Sequence, residues 1–93
     1  MIAGLPLHEA KERFFNAAIE LDKAGYIPIN PFNNGLGELA TWNDHMKADL
    51  KLMLDCDMVY LLPDWMDSKG ATIEKNLAEA LGIKCITKIE CYG

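Results

Sequence analysis

Three observations predict an α/β fold, a small parallel sheet with helices on both faces. Helix-spaced and strand-length apolar segments alternate along the chain as helix, strand, helix, strand, helix, strand, the order that right-handed crossovers build into a three-layer sandwich. The run Met58-Val59-Tyr60-Leu61-Leu62 is apolar without alternation, as expected of a strand covered on both sides. Gly25 and Gly82 stand just past two helix-periodic stretches, where a glycine stops a helix at little cost. With 93 residues, the chain makes one domain, 1–93, near the small end of the range.

Each element has its own local signal. Leu7, Ala10, Phe14, Ala17, Ala18 and Leu21 fall at helical spacing behind Pro6, which predicts a first helix over 7–23. Tyr26-Ile27-Pro28-Ile29 reads as a short strand, although Pro28 removes one ladder donor. Residues 30–40, rich in Asn, Gly and Pro, form a loop. Thr41-Trp42-Asn43-Asp44 has the form of a capping box, opening a second helix with Met46, Leu50, Met53 and Leu54 as its inward stripe. A loop over 63–68 follows the buried strand. The third helix then turns Ile73, Leu77, Ala80 and Leu81 inward, and residues 83–89 make the last strand. Only Met1-Ile2-Ala3-Gly4 precedes the first helix, short for the strand that normally begins such a domain.

Composition narrows the function. Nine Lys and Arg stand against fourteen Asp and Glu, a net charge of −5, which argues against nucleic acid as a partner, since phosphate contacts need a basic face. No apolar run approaches the roughly 18–20 residues of a membrane span, and no secretory leader pattern is present. Cys56, Cys85 and Cys91 are odd in number and lack a C-x-x-C spacing, so neither a disulfide framework nor a cysteine zinc site is expected, and a cytoplasmic location is.

In open parallel sheets, ligands bind beyond the carboxyl ends of the strands. Residues 1–6, 30–41 and 63–70 should lie at that edge. Ser68-Lys69-Gly70-Ala71 leads directly into a helix, whose free N–H groups and positive dipole end suit a phosphate or carboxylate; plain capping accounts for the same residues. Glu74 shares a stripe with Leu77, Ala78 and Leu81. It is either a half-buried functional acid or a carboxylate complementing the dipole. Asp49, between Met46 and Met53, flanks the buried face of the second helix. Asp55 and Asp57 bracket Cys56 at the opposite edge, where capping is expected, while His8 and His45 lack partners at metal spacing and read as surface residues. Trp42 and Trp65 fall near the binding edge, where an aromatic could stack on a planar base or simply pack. The methionines read as core filling.

Several of these residues together carry a family resemblance. Gly4-Leu5-Pro6, Glu9-Ala10, Phe14, Ala24-Gly25-Tyr26 and Asn30-Pro31-Phe32 make its first half. Trp42, His45-Met46, Asp49-Leu50, Leu54-Asp55-Cys56-Asp57, Leu62-Pro63, Trp65, Ser68-Lys69-Gly70-Ala71, Glu74 and Ala80-Leu81-Gly82 complete it. The pattern resembles a family of small bacterial and phage proteins related to nucleoside 2-deoxyribosyltransferases and nucleotide N-glycoside hydrolases. The resemblance implies a flavodoxin-like sheet and a pocket for a nucleoside or nucleoside 5′-monophosphate. It further implies that Glu74 attacks the anomeric carbon, as in retaining glycosidases. Asp49 would hold the substrate or manage the proton of the base, and Ser68 with Gly70 would contact the sugar or phosphate. Gly4, Asn30 and Trp65 complete the expected binding set. Relatives begin with a central strand ending in a small-residue turn, of which Met1 to Gly4 is either a shortened remnant or no counterpart. In the second case a partner chain, a different strand order or residues outside this chain must fill the gap.

The expectation is therefore a nucleoside 2-deoxyribosyltransferase-like N-glycosidase or transferase without metal or redox cofactor, associating as a homo-oligomer. The alternative is a catalytically silent nucleotide-binding module of the same fold.

Overall fold

A central strand with a parallel neighbour on each side organises the molecule. The computed structural model describes residues 1–4, 10–31, 36 and 39–89. In chain order the elements are β1 (Ile2–Ala3), α1 (Ala10–Lys23), α2 (Trp42–Leu54), β2 (Met58–Leu61), a 3-10 turn (Trp65–Asp67), α3 (Lys69–Ala80) and β3 (Lys84–Ile86). The sheet order is β1-β2-β3, all parallel, with Ile2 opposite Tyr60 and Val59 opposite Cys85. This is the α/β sandwich of flavodoxin-like type in small form. The expected start of the first helix at 7–9, with Pro6 and His8, lies outside the described residues, as do Cys91 and positions 32–35 and 37–38 of the 30–40 loop.

Within Met1 to Gly4, Ile2 and Ala3 form a strand paired with β2. The Tyr60 N–H donates to the Met1 carbonyl at 2.8 Å and the Leu62 N–H to the Ala3 carbonyl at 2.7 Å. Two ladder residues suffice because both are buried, so water does not compete for their backbone groups. No partner chain is needed to fill that position.

The expected strand at 26–29 does not form a ladder. Ile27 is 90% exposed, Pro28 has no N–H to donate, and one backbone bond, Ile2 N–H to the Ile29 carbonyl at 3.2 Å, holds the segment beside β1. The last strand is also shorter than the expected 83–89, because the chain leaves the sheet after Ile86.

Alternation along the strands divides two cores. Ala3, Val59 and Leu61 face α2 and α3, where they meet Met53, Ala71 and Ala78. Ile2 and Leu62 face Phe14, Ala17 and Leu21 of α1, in agreement with the spacing of that helix. Gly25 (φ 100°) and Gly82 (φ 76°) end α1 and α3 in left-handed turns. In each, the following residue closes back on the last turn: Tyr26 N–H to the Leu21 carbonyl at 3.0 Å, and Ile83 N–H to the Ala78 carbonyl at 2.8 Å.

Two inward stripes differ from expectation. In α3, Ile73, Ala80 and Leu81 are exposed, and the sheet is met instead by Gly70, Ala71, Glu74 and Ala78, with Leu77 half-buried. Small residues let the helix axis lie close to the sheet, and the bulkier side chains are left on the outer side. In α2, Met46 and Met53 are buried, while Leu54 points outward at 55% exposure. Met53→Ala should therefore lower stability by about 2–5 kcal/mol and Leu54→Ala by less than about 1 kcal/mol, read from urea denaturation midpoints.

Candidate active site

Local capping sets the positions of both helices that supply acids. The Thr41 hydroxyl accepts from the Asp44 N–H at 3.2 Å while the Asp44 carboxylate accepts from the Thr41 N–H at 2.9 Å, so the expected capping box opens α2. That hydrogen bonding holds the Asp44 carboxyl below its ordinary range. Ser68 caps α3, its hydroxyl accepting from the Ala71 N–H at 3.1 Å. Helical spacing then carries Asp49 and Glu74 inward from these two starts.

They meet in a cavity of about 330 Å³ at the carboxyl end of β1, partly open to solvent. Ile2, Ala3 and Gly4 form its floor; Asp49, Ser68, Gly70 and Glu74 line the wall between α2 and α3. The same wall includes Trp42, His45 and Met46, so four α2 residues at i, i+3, i+4 and i+7 share the cavity. Phe14, Pro31 and Leu36 close the apolar side. Asn30 is buried and Trp65 half-buried; neither lines this cavity. Trp65 packs on the α2–α3 core, with the Lys75 ammonium 5.4 Å from its ring centre. Of the expected set, the structure brings together Glu74, Asp49, Ser68, Gly70 and Gly4. It adds Trp42 and His45, whose signal was their helical register with Asp49.

Glu74 is the unusual group. Its residue is 6% exposed, and its Oε2 is buried without a hydrogen-bond partner. Burial first, then the charge of Asp49, push its carboxyl up to about 8, against a smaller opposing pull from the Met1 amino group. An unpartnered buried carboxyl costs stability, and one facing an open cavity is poised to gain a partner from a ligand.

Gly70 leaves space beside that carboxyl. A Cβ placed there would stand 3.0 Å from Met46 Sδ, 3.8 Å from Ser68 Oγ and 3.9 Å from Glu74 Oε1. At Gly4 a Cβ would approach Leu62 Cβ and Asp64 Oδ1 to 2.9 Å, so the floor admits no side chain. Asp64 is itself tied to Arg13 of α1 at 2.7 Å.

A second cavity, about 490 Å³, opens at the amino edge of the sheet beside Tyr26, Asp55, Cys56, Asp57 and Tyr60. It is larger, but none of its lining side chains is a buried polar group lacking a partner. Cys56 and Cys85 are free thiols. Among the described residues, no group of three or more His, Cys, Asp or Glu is placed to hold a metal ion, and no helix is long and apolar enough to cross a membrane.

The Glu74 carboxyl makes stability depend on pH with a definite sign. Between its ordinary value of 4.5 and about 8, the folded chain holds a proton that the unfolded chain has released, so stability falls as pH rises through this interval. The Glu74→Gln variant lacks that dependence. Its Tm should match the wild type at pH 5 and exceed it at pH 9, as read by scanning calorimetry; parallel curves would show that Glu74 ionises freely in the fold.

No curated protein and no solved structure matches the chain. Residues 1–87 match the family model described as "Domain of unknown function (DUF4406)". The match spans both acid-bearing helices and all three strands, and the chain belongs to that family.

Proposed function

We propose that the protein cleaves or transfers the N-glycosidic bond of a nucleoside or nucleoside 5′-monophosphate, with Glu74 as nucleophile. The single observation that carries this reading is the buried, unpartnered Glu74 carboxyl facing an open cavity with Asp49 on the same wall. The cavity volume of about 330 Å³ suits one small ligand. The family resemblance of the Ser68-Lys69-Gly70 and Glu74 pattern favours glycosyl chemistry over other carboxylate reactions.

The residues divide the work as follows. Glu74, as carboxylate, attacks the anomeric carbon while the C1′–N bond breaks and its electron pair leaves with the base. The positive charge that develops on the sugar is stabilised by the carboxylates of Glu74 and Asp49. Water, or a second base, then displaces Glu74 from C1′. Ser68 and Gly70, at the start of α3, contact the sugar or its 5′ substituent. The high proton affinity of Glu74 means that its nucleophilic form grows as pH approaches about 8, so kcat/KM should rise with pH toward that value.

The same proton affinity favours one second reading, a binding module in which a protonated Glu74 donates a hydrogen bond to a nucleotide. Incubation with deoxynucleosides and their 5′-monophosphates, followed by chromatography of free base, separates the two. Base release that falls by about a thousandfold or more in Glu74→Gln, with a deoxyribosyl mass increment trapped on the wild-type chain, is the expected result. A nucleotide that raises Tm without any base release would replace the enzyme reading with the binding module.

A further inference from the structure

We propose that the exposed end of α2 is a nucleobase subsite, in which Trp42 stacks on the planar ring and His45 gives a proton to a ring nitrogen of the departing base. The inference rests on the glycoside-cleavage reading of the cavity for its chemistry, but on separate residues for its geometry. Trp42, His45, Met46 and Asp49 line one wall of the cavity from a single helix face. Along that helix, His45 stands about 6 Å and Trp42 about 10 Å from Asp49, at about 1.5 Å rise per residue. A ligand with its anomeric carbon at the Glu74 and Asp49 end therefore extends its base along His45 toward Trp42.

The chemistry of the wall suits an aromatic heterocycle. Trp42 is 44% exposed although it lines a cavity, so part of its ring surface is available for stacking. The Lys69 ammonium lies 4.8 Å from the centre of that ring. This contact occupies one face of the ring. It also joins the first turns of α2 and α3, which holds the indole in place without a ligand. Met46, whose Sδ lies near Gly70, adds a polarisable surface between the two polar groups. The imidazole of His45 beside that surface has ring nitrogens able both to donate and to accept a proton.

The step balances. The C1′–N bond breaks and its electron pair goes to the base, which takes the proton from His45. A Glu74 oxygen bonds to C1′. In hydrolysis, a water oxygen then bonds to C1′, its proton returns to His45, and Glu74 leaves as carboxylate. A positioned general acid of this kind contributes about 10²–10⁴-fold, and only where the leaving group needs a proton.

Two measurements test the subsite. In the first, free adenine is titrated against the full chain while tryptophan emission is followed. A saturable quench is expected, absent in Trp42→Leu and shifted to about tenfold weaker binding in His45→Ala. No saturable quench, or an unchanged Kd in His45→Ala, overturns the proposal. In the second, His45→Gln is assayed on 2′-deoxyadenosine and on 4-nitrophenyl 2-deoxyriboside, whose phenolate departs without a proton. A loss of about 10²–10⁴-fold on the nucleoside with less than about tenfold on the nitrophenyl glycoside is expected; equal losses on both, or none, overturn the role of His45. If the wild type releases neither adenine from the nucleoside nor nitrophenolate from the glycoside, glycoside cleavage is wrong, and the adenine titration alone decides whether the base subsite exists. Thermal midpoints of the three variants within a few degrees of the wild type exclude misfolding as the cause of any loss.

Discussion

Backbone groups of β2 have to be satisfied on both sides, because Val59 and Leu61 lie in the interior and water cannot reach them. On one side β3 supplies the partners; on the other, Met1 and the two ladder residues Ile2 and Ala3 do. That two-residue pairing has consequences well beyond its length. It sends Ala3 into the core with α2 and α3 and Ile2 into the core with α1, so it joins the two layers. It also brings Gly4 against Leu62 at the carboxyl edge, which forms the floor of the cavity. A strand of this length is marginal in isolation, and it persists because both residues are enclosed by helices.

Close approach of α3 to the sheet follows from the same economy of size. Gly70, Ala71 and Ala78 are the inward residues, and with so little side-chain volume between helix and sheet, Glu74 is drawn inward on the same face. Its carboxyl is therefore desolvated by the packing that stabilises the helix. The fold carries an acid with no hydrogen-bond partner on Oε2, and the second acid on the cavity wall, Asp49, adds to the difficulty of ionising it. Groups retained in such a condition are concentrated at functional sites, where a ligand relieves the cost.

Much of this was legible beforehand, for identifiable reasons. Capping at Thr41, the stops at Gly25 and Gly82, the strand within the 58–62 run and the spacing of Phe14, Ala17 and Leu21 are local signals, and each corresponds to an observed feature. Other expectations differ from the structure, because their outcome depends on distant residues. The 26–29 segment has strand composition, but Pro28 and an exposed edge leave it one backbone bond to β1. The α3 stripe depended on whether bulky Ile73 and Leu81 or small Ala71 and Ala78 met the sheet, and closeness of packing favoured the small ones. The expected binding set took Trp65 and not Trp42, whereas the folded chain places Trp42 in the cavity and Trp65 on the core.

By itself, the order of residues determined the α/β class, the starts of α2 and α3, the stops at Gly25 and Gly82, the central strand and the pairing of Glu74 with the Ser68 cap, since all of these depend on neighbours within a few positions. Tertiary structure decided that Met1 to Gly4 supplies a strand, that Asp49 and His45 share a wall with Glu74, and that the Glu74 carboxyl is enclosed without a hydrogen-bond partner. The reason is physical: desolvation and the field of a second charge depend on which surfaces come together in three dimensions, and helical or strand periodicity carries no record of that.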